Sequence, residues 1–292
     1  YLAEYAVKYF GEEQLESNSF TYRLKTILDN VMYLMKHIME ELSQSEFFVA
    51  DCELKIGEDI PSYTIVLPDG HKIAVCGSVD RVDIMQRADI TYLRIIDYKT
   101  GTKQFKLSDI LYGINLQMLL YLHSIEASGG DKYGEIVPAG ILYMPATVPY
   151  ISSDSLKSID KLPDELNKKL KMNGLLLKDT EIIHGMDKTD VATYIPVKIK
   201  AGEPVSSTSL ATLAEFGKIF KKVDMLIAEM GKNIYNGNIE AKPLKGGHDS
   251  CEYCPYDSVC AYRQSNPITC FSVDNKTVIE EITNEINGKE EE

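Results

Sequence analysis

Two aspartates and one lysine near the middle of the chain have the types and spacing of a metal-dependent hydrolytic site. Asp97 comes directly after an apolar run, and Asp80 lies on what is predicted to be the neighbouring strand. Carboxylates in such positions are costly to desolvate unless they bind a cation or are hydrogen-bonded, and a pair of them can hold a hard divalent cation such as Mg²⁺. Lys99 lies two residues after Asp97, so both side chains share one face of a strand. Its ammonium could orient an attacking water or stabilise charge that develops on a phosphate.

A meander of antiparallel strands is predicted around these residues. Val, Ile, Tyr and Phe are abundant in four segments, and turn signals separate the segments from one another. Pro68-Asp69-Gly70 is one such hairpin signal. The predicted strands are Phe47–Ile56, Tyr63–Leu67, Lys72–Gln86 and Thr91–Tyr98.

Helices precede and follow this meander. Apolar residues at steps of three and four predict helices in residues 1–45, Leu107–Ser124 and Thr208–Tyr235. The continuous apolar run Pro138–Met144 predicts a buried strand. His37 falls outside the apolar stripe of the first helix, which indicates a surface histidine rather than a metal ligand. This order predicts one α/β domain, in which a mixed β-sheet is flanked by helices and carries irregular insertions.

The composition is that of an acidic globular protein. Among 292 residues, 31 are Lys or Arg and 44 are Asp or Glu, which gives a net charge of −13, while 44% of the residues are hydrophobic. These values argue against disorder and against a simple basic DNA-coating protein. A local groove can still be positive in such a chain. No apolar run approaches the roughly 18 residues of a membrane span, so none is predicted. The Glu-rich end, residues 266–292, is predicted to be a solvated, flexible tail.

Three cysteines near the C-terminus are spaced C-x2-C-x5-C. They are Cys251, Cys254 and Cys260. Closely spaced thiolates in a chain without a disulfide-rich composition indicate a metal or iron–sulfur site, but four ligands are the norm and only three are local. Cys52 and Cys76 are interpreted as small buried strand residues, whereas Cys270 remains open as a further ligand.

The joint pattern G-x-x-D followed by I-I-D-Y-K-T-G is far more specific than a single D-x-K. It resembles the PD-(D/E)xK nuclease superfamily, in its RecB-like branch. The resemblance implies a restriction-endonuclease-like core with a C-terminal Cys-cluster segment, Asp80 and Asp97 as ligands of Mg²⁺ or Mn²⁺, and Lys99 as the catalytic lysine. Asp83 matches the second Asp of the family's G-x-x-D-R-x-D and is interpreted as structural rather than as a ligand.

A pair of polar residues on the following helix extends this resemblance. Gln117 and Tyr121 lie four residues apart, on one helical face. They resemble the Q-x-x-x-Y motif of RecB-like nucleases, whose Gln and Tyr face the active site and the DNA backbone. Glu53, on the first strand, is a weaker candidate, and an outward-facing residue is an equally good interpretation. Nearby basic residues could position DNA through its phosphates without reading sequence: Arg81, Lys103 and Lys106.

Longer runs, including Tyr92–Lys99 and Phe105–Tyr121, resemble the C-terminal nuclease region of the AddB (RexB) subunits of AddAB-type helicase–nucleases. The resemblance covers most of residues 20–265. It implies a DNA nuclease domain in residues 1–265, with an insertion around 150–205. Its expected role is DNA end processing during double-strand-break repair in the bacterial cytoplasm, together with an AddA-type partner subunit.

The same resemblance implies a 4Fe–4S cluster in the full-length subunit. The cysteines that follow the nuclease motifs, Cys251, Cys254 and Cys260, would be the last three ligands. The first Cys of the family's cluster and a metal-binding His on an upstream helix would precede Tyr1. The chain is therefore expected to be an N-terminally truncated piece, and the lost residues bear on both cluster assembly and full nuclease activity.

Two other functions remain open. A standalone CRISPR-associated exonuclease of the RecB-like branch would share these motifs, but such proteins are shorter, and the long polar insertion between Tyr150 and Gly202 fits the helicase–nuclease subunit better. A non-catalytic DNA-end-binding module, with a zinc or iron–sulfur staple, would bind DNA without cleaving it. No G-x-x-x-x-G-K-[S/T] occurs in the chain, so an ATPase motor would be carried elsewhere.

Overall fold

A six-stranded mixed sheet forms the centre of the protein, in a computed structural model that describes residues 2–11, 17–101, 104–149, 162–206, 208–256, 258–260 and 267–290. The strands are β1 (Phe48–Ile56), β2 (Tyr63–Val66), β3 (Lys72–Val75), β4 (Gly77–Arg87), β5 (Ile90–Lys99), β6 (Glu135–Pro145), β7 (Asn173–Leu177), β8 (Lys198–Lys200), β9 (Glu203–Val205), β10 (Leu210–Ala211), β11 (Leu244–Gly246) and β12 (Ile268–Cys270). The order in the central sheet is β1-β4-β5-β6-β7-β10, and β2–β3, β8–β9 and β11–β12 form separate two-stranded sheets. The expectation of a mixed sheet flanked by helices is confirmed.

The helices of the described residues lie between and around these strands. They are α1 (Leu2–Phe10), α2 (Asn18–Ser43), a 3-10 helix (Leu107–Tyr112), α3 (Gln117–Ser128), α4 (Gly130–Tyr133), α5 (Leu162–Leu170), α6 (Thr180–Met186), α7 (Leu213–Tyr235) and α8 (Asn275–Glu290). Helix α7 begins with a capping box, in which Thr212 and Glu215 satisfy each other's backbone amides. Within the described ranges, none of these helices has the length and apolar character needed to cross a lipid bilayer.

Strand β5 is buried at the middle of the sheet. It pairs antiparallel with β4 on one side and parallel with β6 on the other, and its residues Leu93, Ile95 and Ile96 are fully buried. Since β5 and β6 run in the same direction, their carboxyl ends meet at one edge of the sheet. The backbone amide of Ala146 donates to the carbonyl of Lys99 there, at 2.8 Å.

The segment 107–124, expected as one helix, is divided into a 3-10 helix and α3. Gly113 ends the first part in a left-handed conformation, with φ 69°. Asn115 is also left-handed, with φ 56°, and its side-chain amide donates to Asp109 Oδ2 at 2.6 Å. Asparagine tolerates this conformation better than most residues, so the apolar period continues while the helix itself is interrupted.

Two expectations about less regular segments are changed by the structure. The described part of the insertion around 150–205 supplies β7, which pairs antiparallel with β6 and so extends the main sheet. The C-terminal segment, expected as a flexible tail, forms β12 and helix α8 instead. Val278, Ile282 and Ile286 lie four residues apart and are buried on one face of α8, and Glu285 pairs with Lys222 of α7 at 2.5 Å. The many glutamates of this segment led to the expectation of a solvated tail, although its few apolar residues are spaced for one helical face.

A buried network of four charges joins α2 to the central strands. Glu41 of α2 accepts from Arg81 of β4 at 3.1 Å and from Arg94 of β5 at 2.6 Å. Asp83 accepts two bonds from Arg81, at 2.7 and 2.6 Å, and one from Arg94 at 3.1 Å. All four side chains are at most 2% exposed. Two cations and two anions balance, which is how buried charges are tolerated.

A second polar cluster joins α3, α7 and the β2–β3 hairpin. His123 Nε2 lies 3.2 Å from Asp224 Oδ2 and 3.1 Å from Tyr63 Oη, while its Nδ1 lies 3.2 Å from Glu126. The Tyr63 hydroxyl also donates to Asp224 at 2.9 Å. Burial opposes protonation of the imidazole, but the bonds to Asp224 and Glu126 outweigh it and raise the pKa of His123 to about 9.

Replacing Glu41 tests the charge network. Glu41→Ala leaves two buried arginines with one carboxylate between them, so we expect the free energy of unfolding to fall by about 3–5 kcal/mol. Urea denaturation measures this loss. The adjacent Glu40 is the matched control, because its side chain is 53% exposed and forms a surface pair with Lys36 at 3.8 Å, so Glu40→Ala should cost at most about 1 kcal/mol. Equal effects of the two substitutions would contradict the network's role.

Replacing His123 tests the second cluster through its pH dependence. Since the folded-state pKa lies above the unfolded value, the stabilisation is complete below pH of about 6.5 and is lost as the pH rises towards 9. His123→Gln should therefore be less stable than the unaltered protein at pH 6, by on the order of 3 kcal/mol, and the difference should shrink by pH 9. Thermal unfolding across this range measures it. His248→Gln, at an exposed histidine, should show no such trend.

Candidate active site

Asp80 and Asp97 lie on adjacent strands at the end of the β4–β5 ladder. The last pair of that ladder is Arg81 with Ile96, so Asp80 and Asp97 come next in the same register. The backbone amide of Tyr98 donates to Asp80 Oδ2 at 2.9 Å, which fixes the Asp80 side chain beside the end of β5. The structure thus brings together the two carboxylates that the sequence predicted to be neighbours.

Asp97 and Lys99 form a close ion pair. Lys99 Nζ lies 2.5 Å from Asp97 Oδ2, and the two side chains are 28% and 11% exposed. The ammonium also lies 5.7 Å from the centroid of the Tyr143 ring on the neighbouring strand. Burial and the negative charge of Asp97 together raise the pKa of Tyr143 to about 12, so this hydroxyl stays protonated near neutral pH.

One oxygen of Asp97 lacks a regular hydrogen bond. Asp97 Oδ2 is buried and meets no hydrogen-bond donor at a good angle among the described residues, so the ion pair with Lys99 is its contact. No set of three or more His, Cys, Asp and Glu side chains surrounds a common metal position in the part of the chain that the structure describes. Mg²⁺ is commonly held by one or two carboxylates while water fills the remaining positions, so the pair Asp80 and Asp97 fits this ion.

Glu53 lies close to this site in strained backbone. Its φ is +54°, a left-handed conformation that is uncommon for residues other than glycine. It follows Cys52, the partner of Arg81, and precedes Leu54, the partner of Val79. The Glu53 carboxylate accepts from the hydroxyl of Ser78 at 3.1 Å. Strained residues cluster at functional sites, so Glu53 is a stronger candidate than its sequence context indicated.

Gln117 and Tyr121 contact each other at the start of α3. Gln117 Nε2 lies 3.4 Å from Tyr121 Oη. The Tyr121 ring packs directly against Gly77, where an added Cβ would lie 2.3 Å from the hydroxyl oxygen. Glycine at this position therefore lets the ring reach the strand that carries Asp80. Neither side chain forms a hydrogen bond with Asp80, Asp97 or Lys99 within the described ranges, and the catalytic roles remain predictions.

Of the three basic residues expected to bind DNA, Arg81 is buried in the charge network. Its side chain is 2% exposed and is held by Asp83 and Glu41, so it cannot reach a phosphate in solvent, and the prediction is wrong. Its position in sequence, between two aspartates, gave no sign of the helix that covers it. Asp83 belongs to the same network, in agreement with a structural role. Lys106 is exposed and remains a prediction, while Lys103 lies outside the described residues.

His37 is not the surface residue that was expected. Only 7% of it is exposed, and its ring centroid lies 5.4 Å from that of Tyr194. Burial lowers the pKa of this histidine. Residues of the insertion cover that part of α2, and the helical period alone could not reveal such a cover.

The cysteines near the C-terminus are free thiols on a turn-rich segment. Cys251 and Cys254 are partly buried, and Cys260 is exposed. Their arrangement does not form a closed metal site within the described residues. Cys270, on β12, is buried and pairs with Gly246 of β11. Cys52 and Cys76 are both exposed, which corrects the expectation that they are small core residues.

Comparison with known proteins places this geometry in a family. The chain is 38% identical over 246 residues to the B subunit of the ATP-dependent helicase/deoxyribonuclease of Thermoanaerobacter sp. strain X514, a match that covers 82% of this chain and 21% of that protein. It is 36% identical over 275 residues to the corresponding protein of Alkaliphilus oremlandii, with 90% and 24% covered. For the corresponding protein of Clostridium kluyveri the identity is 36% over 281 residues, with 93% and 24% covered.

The chain spans about a fifth to a quarter of the length of these curated relatives. The family model of the PD-(D/E)XK nuclease superfamily matches residues 2–261, which include the β4–β5 site and both strands that carry it. Two carboxylates and a lysine at the ends of adjacent central strands agree with that match. The chain belongs to the PD-(D/E)XK nuclease superfamily.

Proposed function

We propose that this chain is the nuclease domain of a helicase–nuclease and hydrolyses DNA phosphodiester bonds with a divalent cation, Mg²⁺ or Mn²⁺. The observation that carries the proposal is the buried Asp97 Oδ2, which faces the ammonium of Lys99 and lies next in register to Asp80. A carboxylate pair beside a lysine, at an accessible strand end, is suited to a phosphate group and a cation together.

Each residue has a distinct task in this proposal. Asp80 and Asp97 hold the cation, and the amide of Tyr98 keeps Asp80 oriented. When bound, the cation polarises the scissile phosphate and makes a coordinated water more acidic. Lys99 orients the attacking water and stabilises negative charge on the phosphate. The water oxygen would bond to phosphorus and release a proton to solvent, the P–O bond to the leaving sugar would break, and the leaving oxygen would take up a proton from solvent.

Gln117, Tyr121 and Lys106 would assist by contacting the DNA next to the reacting phosphate. Tyr121, packed on Gly77, and Gln117, bonded to it, would contact the DNA backbone next to the reacting phosphate. Lys106 is exposed before the 3-10 helix and would add a phosphate contact. Such contacts position DNA without reading its sequence, as a nuclease that degrades long DNA requires.

The setting of this activity follows from the relatives' names. Those proteins are B subunits of ATP-dependent helicase/deoxyribonucleases, so the partner would be an AddA-type subunit that supplies further motor and nuclease activity. The substrate would be the DNA ends produced by double-strand breaks, processed for recombinational repair. The place of action would be the bacterial cytoplasm, where chromosomal DNA lies.

Replacing the two central residues tests the catalytic assignment. Asp97→Asn and Lys99→Ala should each lower the rate of Mg²⁺-dependent cleavage of single-stranded DNA by at least about 100-fold, because each removes a charge that faces the reacting phosphate. EDTA should abolish cleavage by the unaltered protein, and Mn²⁺ should restore it. Release of labelled nucleotides measures the rate.

Matched controls separate this effect from general damage. Asp89→Asn and Lys72→Ala change exposed residues of the same types and should cleave at the unaltered rate. Full cleavage by Asp97→Asn or Lys99→Ala would remove those residues from the mechanism. DNA binding without any cleavage by the full-length subunit in the presence of metal would favour the DNA-end-binding module instead.

We also propose that the full-length subunit carries a 4Fe–4S cluster on Cys251, Cys254 and Cys260 and one further ligand. The support is the C-x2-C-x5-C spacing and the presence of three unbridged thiols on one short segment. The segment would have to close around the cluster, because the thiols do not surround a common position as they stand. The cluster's task would be to fasten this segment rather than to take part in hydrolysis.

Iron analysis tests the cluster. The full-length subunit, purified without oxygen, should contain about four iron atoms per chain and absorb visible light. Cys251→Ser and Cys254→Ser should lose most of the iron because each removes one ligand, whereas Cys52→Ser, at an exposed cysteine of β1, should keep it. A colourless, iron-free subunit would refute this assignment without affecting the nuclease proposal.

A further inference from the structure

Two cavities lie side by side next to the carboxyl end of β5. The first has a volume of about 670 Å³ and begins at Thr100 and Gly101, immediately after Lys99. The second, of about 720 Å³, lies between the end of α5 and the β8–β9 hairpin. Lys168 and Lys171 line both cavities, so the two share a wall and form one continuous groove. The groove therefore leads away from the site described above.

The groove is positive in an otherwise acidic chain. Five lysines line its two parts: Lys168, Lys169, Lys171, Lys198 and Lys200. No Asp or Glu is among the described residues that line either cavity, although acidic residues outnumber basic ones by 44 to 31 in the whole chain. The nearest acid of the hairpin, Glu203, accepts from the hydroxyl of Thr180 at 2.6 Å. Such a concentration of one sign of charge attracts a polyanion.

Lys171 holds the two walls of the groove together. Its ammonium donates to the backbone carbonyls of Ala192 at 2.6 Å and Val197 at 3.0 Å, which ties the end of α5 to the segment before β8. Burial lowers the pKa of Lys171, and the neighbouring charge of Lys198 lowers it further, against the opposing effect of Asp187. The lysines are therefore close enough to repel one another, and an anion between them would relieve that repulsion.

Lys198 and Lys200 are arranged for contacts with successive phosphates. They are exposed and lie two residues apart on β8, so their side chains project from one face with a separation of about 6.6 Å. This spacing is similar to that of neighbouring phosphates in an extended nucleic-acid strand. No aromatic side chain lines either cavity within the described residues, so stacking on bases is not available there, and contacts with the backbone would dominate.

We propose that this lysine groove binds the sugar–phosphate backbone of single-stranded DNA as it passes to or from the Asp97–Lys99 site. The inference rests on the proposed nuclease function and adds to it the route of the substrate. A single strand is the occupant because its phosphates follow one another along one extended backbone, as the exposed Lys198 and Lys200 follow one another along β8. Since the contacts are ionic and made with phosphates, binding is independent of base sequence and sensitive to salt.

Removing the two exposed lysines of β8 tests the groove. The double variant Lys198→Ala/Lys200→Ala is compared with the unaltered full chain for binding of a fluorescent oligothymidylate of about 20 nucleotides in EDTA, over a range of salt concentrations. The expected result is about tenfold weaker binding, and a slope of log K against log salt that is smaller by about 1.4, since each phosphate contact in a single strand contributes about 0.7. In Mg²⁺, KM for the same DNA should rise while kcat stays constant.

A second double variant is the control. Lys25→Ala/Lys72→Ala also removes two exposed lysines, but from α2 and β3, outside the groove, and it should bind and cleave as the unaltered chain does. Circular dichroism and thermal unfolding verify that both double variants remain folded. The proposed role of the groove would be wrong if Lys198→Ala/Lys200→Ala left the affinity and its salt dependence unchanged, or if the control variant lost as much affinity. This holds even if cleavage is normal. A full-length subunit that binds the oligonucleotide in Mg²⁺ but never cleaves it would overturn the nuclease function alone.

Discussion

The buried ion network under the β4–β5 strands is the constraint on which the rest of the structure depends. Arg94 stands in the buried middle of β5, where an unpaired guanidinium would be very costly. The carboxylates of Glu41 and Asp83 neutralise both Arg94 and Arg81. These ion pairs require α2 to lie across the sheet where Glu41 reaches both arginines. The network therefore sets the position of the helix, the register of β4 against β5 and, through that register, the alignment of Asp80 with Asp97.

The carboxylates of Asp80 and Asp97, one position beyond the Arg81–Ile96 pair, place negative charge at the end of this rigid frame and form the candidate site. The charges of Arg81 and Arg94 are balanced inside the protein by Glu41 and Asp83, whereas the buried Asp97 Oδ2 has Lys99 as its ion-pair partner at the end of the strand. A carboxylate oxygen held in this way by a single ammonium keeps lone-pair capacity for a second cationic group. Both neighbours of β5 hold the strand in place along most of its length.

Much of this arrangement could be predicted from the sequence, and the exceptions have identifiable physical causes. The strands, and the neighbouring positions of Asp80, Asp97 and Lys99, follow from local composition and motif spacing. Glu41 and Arg94 were missed because a charge network depends on tertiary neighbours, although an arginine inside the run Tyr92–Ile96 was itself a sign that a partner must exist. The same lack of tertiary information made Arg81 resemble a DNA contact and His37 a surface residue. Helix α8 was missed because its apolar positions are few and its glutamates many.

The parallel pairing of β5 and β6 has a consequence for how such a protein can diversify. The loops that follow Lys99 and Pro145 emerge side by side, as the bond from the Thr147 hydroxyl to the Thr100 carbonyl illustrates. Both loops begin at the ends of strands that are fixed by their neighbours, so extra residues can be accepted there without moving the carboxylates. The loops beside the candidate site can therefore vary in length while Asp97 and Lys99 keep their positions.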